Sequence, residues 1–231
     1  MTSSLPKHLS STEAKGLVQG ETIAQFELGD HRNFVYLILD WKTHQAAWVD
    51  PQFDVDTPLE ALREHGFELK YVLLTHTHWD HVAGVPELIK RFPSLPIYVG
   101  EQDAGRLKSD ARARSKILKD GQTLLLGEIS ISVLHTPGHS AGECSYFLET
   151  DRPYLFTGDT IFIRDCGRTD LESGSNEQMF ESIQRVKKLS SSTVILPGHH
   201  YVHDCATTIE KELKESPPFQ CKSVEDLAKL P

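Results

Sequence analysis

The stretch THTHWDH, residues 75–81, decides the fold of this chain. It places three histidines and one aspartate within six positions, directly after a run of apolar residues that predicts a buried strand. Residues two apart project to the same side of an extended segment, so His76 and His78 can converge on one ion. Asp80 and His81 follow one turn later and can reach a second ion. We therefore predict a metal-binding loop here, because a merely solvated loop has no need of clustered imidazoles.

Three more side chains that can bind metal follow predicted strands later in the chain. His139 lies in the turn TPGHS, Asp159 ends the sequence TGD, and His199 ends the sequence PGH. Strand ends are where sheets commonly carry their functional residues. The pattern assigns three residues to one ion, three to another and one carboxylate to a bridge between them: His76, His78 and His139; Asp80, His81 and His199; and Asp159.

The ligand types predict two divalent metal ions as cofactors. Imidazole and carboxylate suit zinc foremost, with iron or manganese as alternatives, and the absence of cysteine ligands argues against a purely structural zinc. Two neighbouring ions can share a water and lower its pKa towards neutrality, which favours a hydrolase.

Two rounds of strands followed by helices predict two packed sheets with helices outside. We expect residues 16–231 to form a single domain and residues 1–15 a flexible tail. The capping-box sequences TPLE (57–60) and SNEQ (175–178) predict two helix starts, and the second helix should run to residue 189. Residues 124–134 predict a hairpin around Gly127 and Glu128, and residues 206–215 another helix.

The charge and composition of the chain argue against some classes of binding partner. The formal net charge of −9 argues against nucleic-acid binding, because few cations are present to neutralise a run of phosphates. Nothing approaches the roughly 18 apolar residues of a membrane helix, and the polar N-terminus lacks the apolar segment of a signal peptide. The four cysteines form no CxxC pair. We expect a cytoplasmic protein without a membrane partner; a homodimer remains open.

Together, the motif His76-x-His78-x-Asp80-His81 and the later His139, Asp159 and His199 resemble the metallo-β-lactamase superfamily. The resemblance covers nearly the whole chain. It implies an α+β fold, an αββα sandwich of two mixed β-sheets flanked by helices, with the metal site at one edge of the sheets.

In detail, the chain is most similar to the glyoxalase II (hydroxyacylglutathione hydrolase) branch, through THTHWDHVAG, CGR at 166–168 and GHHY at 198–201. This implies hydrolysis of an acyl-glutathione thioester by a metal-bridging hydroxide. Asp80 and His81 are the predicted catalytic residues, and Asp80 would also orient the hydroxide. Cys166, Arg168 and Tyr201 would contact the glutathione moiety, although for Arg168 a surface ion pair with Asp165 or Asp170 is an alternative.

The sequence also allows functions other than acyl-glutathione hydrolysis. Residues 163–170 and the short stretch after Tyr201 also resemble the glutathione persulfide dioxygenases of the same superfamily. These would use one Fe(II) held by His76, His139 and Asp159, with open positions for O₂ and sulfur. In either case the substrate is a small thiol-derived molecule. A hydrolase of another thioester, ester or lactone is a third candidate. A non-enzymatic metal-binding protein would need an incomplete ligand set, whereas all seven ligands are present.

Overall fold

The computed structural model describes residues 16–230, so the predicted tail at residues 1–15 lies outside the described residues. One mixed sheet has its strands in chain order, antiparallel from the first to the third and parallel from the third to the sixth. These strands are Ile23–Leu28 (β1), Asn33–Asp40 (β2), Gln45–Val49 (β3), Glu68–Leu73 (β4), Ile97–Gly100 (β5) and Ser115–Leu118 (β6).

The second half of the chain forms another mixed sheet and a short ribbon. The strands are Thr123–Leu126 (β7), Ile129–His135 (β8), Cys144–Leu148 (β9), Tyr154–Gly158 (β10), Ile161–Phe162 (β11), Asp165–Cys166 (β12), Val194–Pro197 (β13) and Thr207–Thr208 (β14). The sheet has the order β14-β13-β10-β9-β8-β7, with only β10 and β13 parallel, and β11 pairs with β12. The predicted hairpin is β7 and β8.

Helices cover the outer faces of both sheets. They are Asp56–Glu64 (α1), Trp79–Val82 (α2), Val85–Arg91 (α3), Glu101–Ala104 (α4), Ser109–Arg114 (α5), Asn176–Val186 (α6), Ile209–Glu215 (α7), Pro217–Gln220 (α8) and Val224–Leu227 (α9). Within residues 16–230 none of these helices has the length and apolar character needed to cross a bilayer. The predicted sandwich, two mixed sheets flanked by helices, is confirmed.

Strand β2 shows how the layers arise from the sequence. All eight of its residues are buried, because successive side chains point to opposite faces and both faces are covered. Phe34, Tyr36 and Ile38 join the core between the sheets, which also contains Tyr146 and Phe156 of the second sheet. The alternate residues of β2 pack with α1 and α3 in a separate outer core, and α6 to α9 build a third core on the outer face of the second sheet.

Two predicted helix starts differ from the structure. Thr57 lies inside α1, which begins at Asp56, and the N-cap position is held by Val55, whose side chain cannot cap the helix. The backbone N–H and hydroxyl of Thr57 both donate to the carboxylate of Asp54 instead. The helix predicted at 206–215 begins only at Ile209, because Thr207 and Thr208 pair with β13 and the Thr208 hydroxyl caps the helix. At the other predicted capping box, Ser175 accepts from the Gln178 N–H as expected, but α6 ends at Val186 rather than residue 189.

Asp103 joins the two halves of the sandwich beside the histidine loop. Its fully buried carboxylate accepts hydrogen bonds from the N–H of Thr77 at 3.2 Å, the hydroxyl of Ser140 at 2.9 Å and the N–H of Gly142 at 3.0 Å. Thr77 belongs to the loop after β4 of the first sheet, whereas Ser140 and Gly142 precede β9 of the second sheet. The side chain therefore fixes the relative position of two loops that carry metal-binding residues.

Replacing Asp103 should destabilise this junction. We expect Asp103→Ala to lower the free energy of unfolding by about 2 to 4 kcal/mol, because two buried backbone donors lose their acceptor. Asp151→Ala, on an exposed turn, is the matched control and should stay within about 0.5 kcal/mol of the parent. Urea unfolding in the presence of a chelator measures both. Equal stability of the two variants would contradict the role given to Asp103.

Candidate metal centre

The loop after β4 changes conformation midway. His76 is buried in the extended part, and His78 is the residue that precedes the short helix α2. Asp80 and His81 lie on the first turn of that helix, both buried. The extended part presents two imidazoles and the helical turn presents a carboxylate and a third imidazole. One segment therefore supplies ligand groups to two neighbouring positions, as its spacing predicted.

Three groups of potential ligand atoms form; the group of Asp50, His76 and His81 shares both histidines with the other two, which match the predicted sets. Nitrogen atoms of His76, His78 and His139 lie within 4.8 Å of one another, with His78 Nδ1 and His139 Nε2 only 2.9 Å apart. The second cluster brings together Asp80, His81 and His199 within the same limit, and its two Nε2 atoms are 3.1 Å apart. These are the two sets of three that the sequence assigned to separate ions.

Asp159 lies between the two clusters. Its Oδ2 atom is 3.5 Å from His139 Nε2 in the first cluster and 3.4 Å from His199 Nε2 in the second. Its Oδ1 atom is 3.4 Å from His81 Nε2. The carboxylate thus reaches ligand atoms of both sets, which is the placement required of a bridging ligand.

Three of the five imidazoles are oriented by hydrogen bonds on the side away from the metal centre. His139 Nδ1 donates to the Arg168 carbonyl at 2.8 Å and His199 Nδ1 donates to the His31 carbonyl at 2.9 Å. Because a carbonyl only accepts, both rings carry the proton on Nδ1 and turn an Nε2 lone pair towards the site. His81 is held in the same way, with its Nδ1 3.0 Å from the carboxylate of Asp50.

The arrangement fits a metal site because its inward-facing atoms lack other partners. Among residues 16–230, the buried His76 Nε2 and Asp159 Oδ1 have no hydrogen-bond partner. The Nε2 lone pairs of neutral His81 and His199 would face each other at 3.1 Å, so a proton or a cation must lie between them. Buried polar atoms without partners are costly, and a divalent cation would satisfy all of them at once.

Four supporting residues were not found by sequence reasoning. Asp50 accepts from Thr75 as well as orienting His81, Asn33 Nδ2 donates to Asp80 at 2.9 Å, and Glu143 accepts from the Asp159 N–H at 2.8 Å. Asp103 is the fourth. Asp50 had the same signal as Asp159, a carboxylate directly after a strand. Neither Asn33 nor Glu143 has a local signal, because their partners are remote in sequence.

Burial and charge set the protonation of the cluster. Burial lowers the pKa of His76 well below its usual value, so this imidazole is neutral. Burial acts on His81 in the same direction, but the carboxylates of Asp159, Asp50 and Asp80 outweigh it and raise its pKa to about 10. Burial raises the pKa of Asp159, yet the neighbouring His81 and His199 hold it well below its ordinary range. Without metal, the proton on His81 therefore takes the place of the cation.

The three residues predicted to contact the substrate differ in their exposure and in their contacts. Tyr201 is exposed, and its ring stacks on His199 with 4.8 Å between centroids and 7° between planes. Cys166 is half-buried in β12. Arg168 forms two hydrogen bonds to the exposed carboxylate of Asp170, at 2.6 and 2.8 Å, which is one of the two ion pairs considered from sequence. The contact of these three residues with a thiol substrate stays a prediction.

The pKa of His81 predicts a pH dependence of stability. A pKa raised above the unfolded value of about 6.5 stabilises the fold fully below that pH, and this contribution is lost as pH rises through about 10. The free energy of unfolding of the metal-free protein should therefore fall between about pH 7 and pH 10. Asp50→Asn removes one carboxylate that raises the pKa, so its fall should be smaller. Urea titrations with chelator measure this, with Asp151→Asn as the control, and equal falls in all three proteins would refute the assignment.

Comparison with known proteins agrees with this fold. The Metallo-beta-lactamase superfamily profile matches residues 29–199. A hydroxyacylglutathione hydrolase of Hamiltonella defensa is 36% identical over 170 residues, which are 73% of this chain and 63% of that protein, so this chain spans under two thirds of the relative's length.

Two solved structures extend the comparison. ETHE1 from Myxococcus xanthus is 30% identical with a TM-score of 0.79, covering 90% of this chain and 92% of that one. TTHA1623 in a di-iron-bound form is 28% identical with a TM-score of 0.72, covering 84% and 98%. With the matched profile spanning both ligand clusters and the fold agreeing throughout, the chain belongs to the metallo-β-lactamase superfamily.

Proposed function

We propose that this protein is a thioester hydrolase with two divalent metal ions, acting on an acyl-glutathione. The observation that carries the proposal is the position of Asp159 between two complete clusters of ligand atoms. The second cluster, in which Asp80, His81 and His199 are buried, supplies the ligands that a second ion requires. The similarity to the hydroxyacylglutathione hydrolase of Hamiltonella defensa supports the same substrate class.

The seven side chains would hold the ions in the two sets already described. Zinc is the proposed metal, with iron or manganese accepted by the same ligand types, and the di-iron form of TTHA1623 supports iron in a related fold. Bound there, the ions would supply a nucleophile from water at neutral pH and polarise the carbonyl of the substrate.

Asp80 is the residue proposed to position the attacking water. Its side chain is 12% exposed against 8% for Asp159, so it borders the space that substrate would enter. Asn33 donates to its Oδ2 atom and thereby fixes the carboxylate, which can accept a hydrogen bond from the water. His81, beside it on α2, is oriented by Asp50. We propose Asp80 as a catalytic residue because it is the more exposed of the two, and His81, which is only 1% exposed, as the catalytic residue that would hold the second ion beside it.

Hydrolysis adds the oxygen of a water to the carbonyl carbon and breaks the carbon–sulfur bond, so that a carboxylate and a thiol leave. A thiol with a pKa near ~8.5 departs readily as thiolate, which removes the need for a strong general acid. Tyr201, held against His199 and Phe162, would contact the thiol portion from the rim. Arg168 would first have to leave Asp170 in order to bind a substrate carboxylate.

The cellular setting belongs to the same proposal. A small thiol-derived substrate requires no nucleic-acid or membrane partner, and we place the reaction in the cytoplasm, where glutathione is abundant and free cysteines stay reduced. Residues 16–231 would act as one domain.

A persulfide dioxygenase with one Fe(II) is the second candidate. The observation that favours it is that His76, His139 and Asp159 alone would leave open positions on an ion, as O₂ chemistry requires. Such dioxygenases keep the remaining ligand residues without a second ion, so the second cluster does not separate the two candidates. The similarity to the hydroxyacylglutathione hydrolase of Hamiltonella defensa favours the hydrolase.

The experiment compares the two reactions in one preparation. We expect the metal-loaded protein to cleave S-D-lactoylglutathione without O₂ uptake and to leave glutathione persulfide unchanged. His199→Asn should lower thioester cleavage by about a hundredfold, because it removes a ligand of the second cluster alone. His44→Asn, in an exposed turn, should not change it. Oxygen consumption with the persulfide that survives His199→Asn would overturn the proposal in favour of the dioxygenase.

A further inference from the structure

A cleft of about 660 Å³ borders the loop that carries His76, His78 and Asp80, and none of the seven metal-binding residues lines it. It begins at Thr77 and Trp79, which alternate with His76, His78 and Asp80 along the metal loop, and continues between α3 and α5. Cys166, Arg168 and Tyr201 are not among the residues that line it. The cleft is therefore a separate space. Trp79 connects it to the metal centre, because its ring lies 4.9 Å from the ring of His31, whose carbonyl accepts from Nδ1 of the metal-binding His199.

The walls of the cleft are apolar. Phe53 and Trp79 are 67% and 58% exposed, and both line the cleft, so their aromatic surface is open to a molecule that enters it. Val82, Val85 and Leu107 continue the apolar surface inward. Exposed apolar surface that is contiguous with a polar centre is the usual composition of a small-molecule site.

Three cationic side chains line the cleft. Lys90, Arg106 and Lys108 line it, against a single carboxylate, Glu87. Lys90 lies 3.6 Å from Glu87, and Arg106 lies 3.6 Å from Glu172. Among residues 16–230 no acceptor pairs with the Lys108 ammonium group. The chain as a whole carries a net charge of −9, so this local excess of positive charge stands out from the rest of the protein.

We infer that the cleft binds the acyl group of the substrate, and that this group is an apolar chain ending in an anionic group such as a carboxylate. The inference rests on the proposed thioester hydrolysis. With the carbonyl at the metal centre, the chain would pass Trp79 and Phe53, and its far end would meet Lys108. A lactoyl group would leave most of the volume empty, and the polar glutathione moiety matches the apolar walls poorly.

A series of glutathione thioesters tests this with the metal-loaded protein. Lactoyl, hexanoyl and adipoyl thioesters differ in chain length and, for the last two, in a terminal carboxylate at equal length. We expect kcat/KM to increase from lactoyl to hexanoyl to adipoyl. Phe53→Ala should lower the hexanoyl-to-lactoyl ratio about tenfold, because apolar contact with the chain is lost. Lys108→Glu should lower the adipoyl-to-hexanoyl ratio by roughly fivefold or more.

Two control variants separate these effects from those of any apolar truncation or charge reversal on the surface. Leu125→Ala truncates an apolar side chain that is 68% exposed on β7, and Lys188→Glu makes the same charge change on exposed surface after α6. Neither should change the ratios.

The outcomes distinguish the inference from the function on which it rests. Cleavage of all three thioesters at similar kcat/KM, with ratios unchanged by Phe53→Ala and Lys108→Glu, would overturn the cleft assignment and leave the hydrolase intact. Absence of thioester cleavage would overturn the proposed hydrolase. In that case, binding of the non-hydrolysable S-hexylglutathione, measured by calorimetry against S-methylglutathione, still decides whether the cleft takes an apolar chain: equal affinities would exclude it.

Discussion

The interaction on which the rest of this structure depends is the convergence of five imidazoles and two carboxylates on one small buried space. Their lone pairs face one another at distances near 3 Å, as with His81 and His199, and such an arrangement is stable only with positive charge among them. In the metal-free protein the proton on His81 provides part of that charge. Divalent cations would provide all of it, so the architecture of the site is itself an argument for metal.

The fold holds these groups in place through hydrogen bonds made behind them. Asp50 and the carbonyls of Arg168 and His31 each take the outward proton of one histidine, which leaves the inward nitrogen free to bind. Asp103 connects the loops of the two sheets at the same edge. The sandwich thus serves as a rigid frame whose strand ends meet at one place, and the ligands need little rearrangement when an ion binds.

The sandwich fold and all seven metal-binding residues could be predicted from the sequence, because the signals for them are local. The spacing in residues 75–81 and the turns before His139 and His199 are local signals, and local spacing dictates which side chains share a face. Asn33 and Glu143 could not be found in this way, because their roles depend on contacts with Asp80 and Asp159 that only the folded chain creates. The predicted start of α7 was wrong for a related reason. Thr207 and Thr208 pair with β13, and this tertiary contact prevents them from joining the helix. The cleft beside Trp79 is likewise a product of tertiary packing.

The central claim is that the two clusters bind two ions with Asp159 between them. Anomalous X-ray scattering from crystals of the protein loaded with zinc or iron tests it most directly. The account predicts two anomalous peaks per chain, one among His76, His78 and His139 and the other among Asp80, His81 and His199, with the Asp159 carboxylate in contact with both. A single peak in the first cluster at saturating metal, with the second cluster unoccupied, would contradict it.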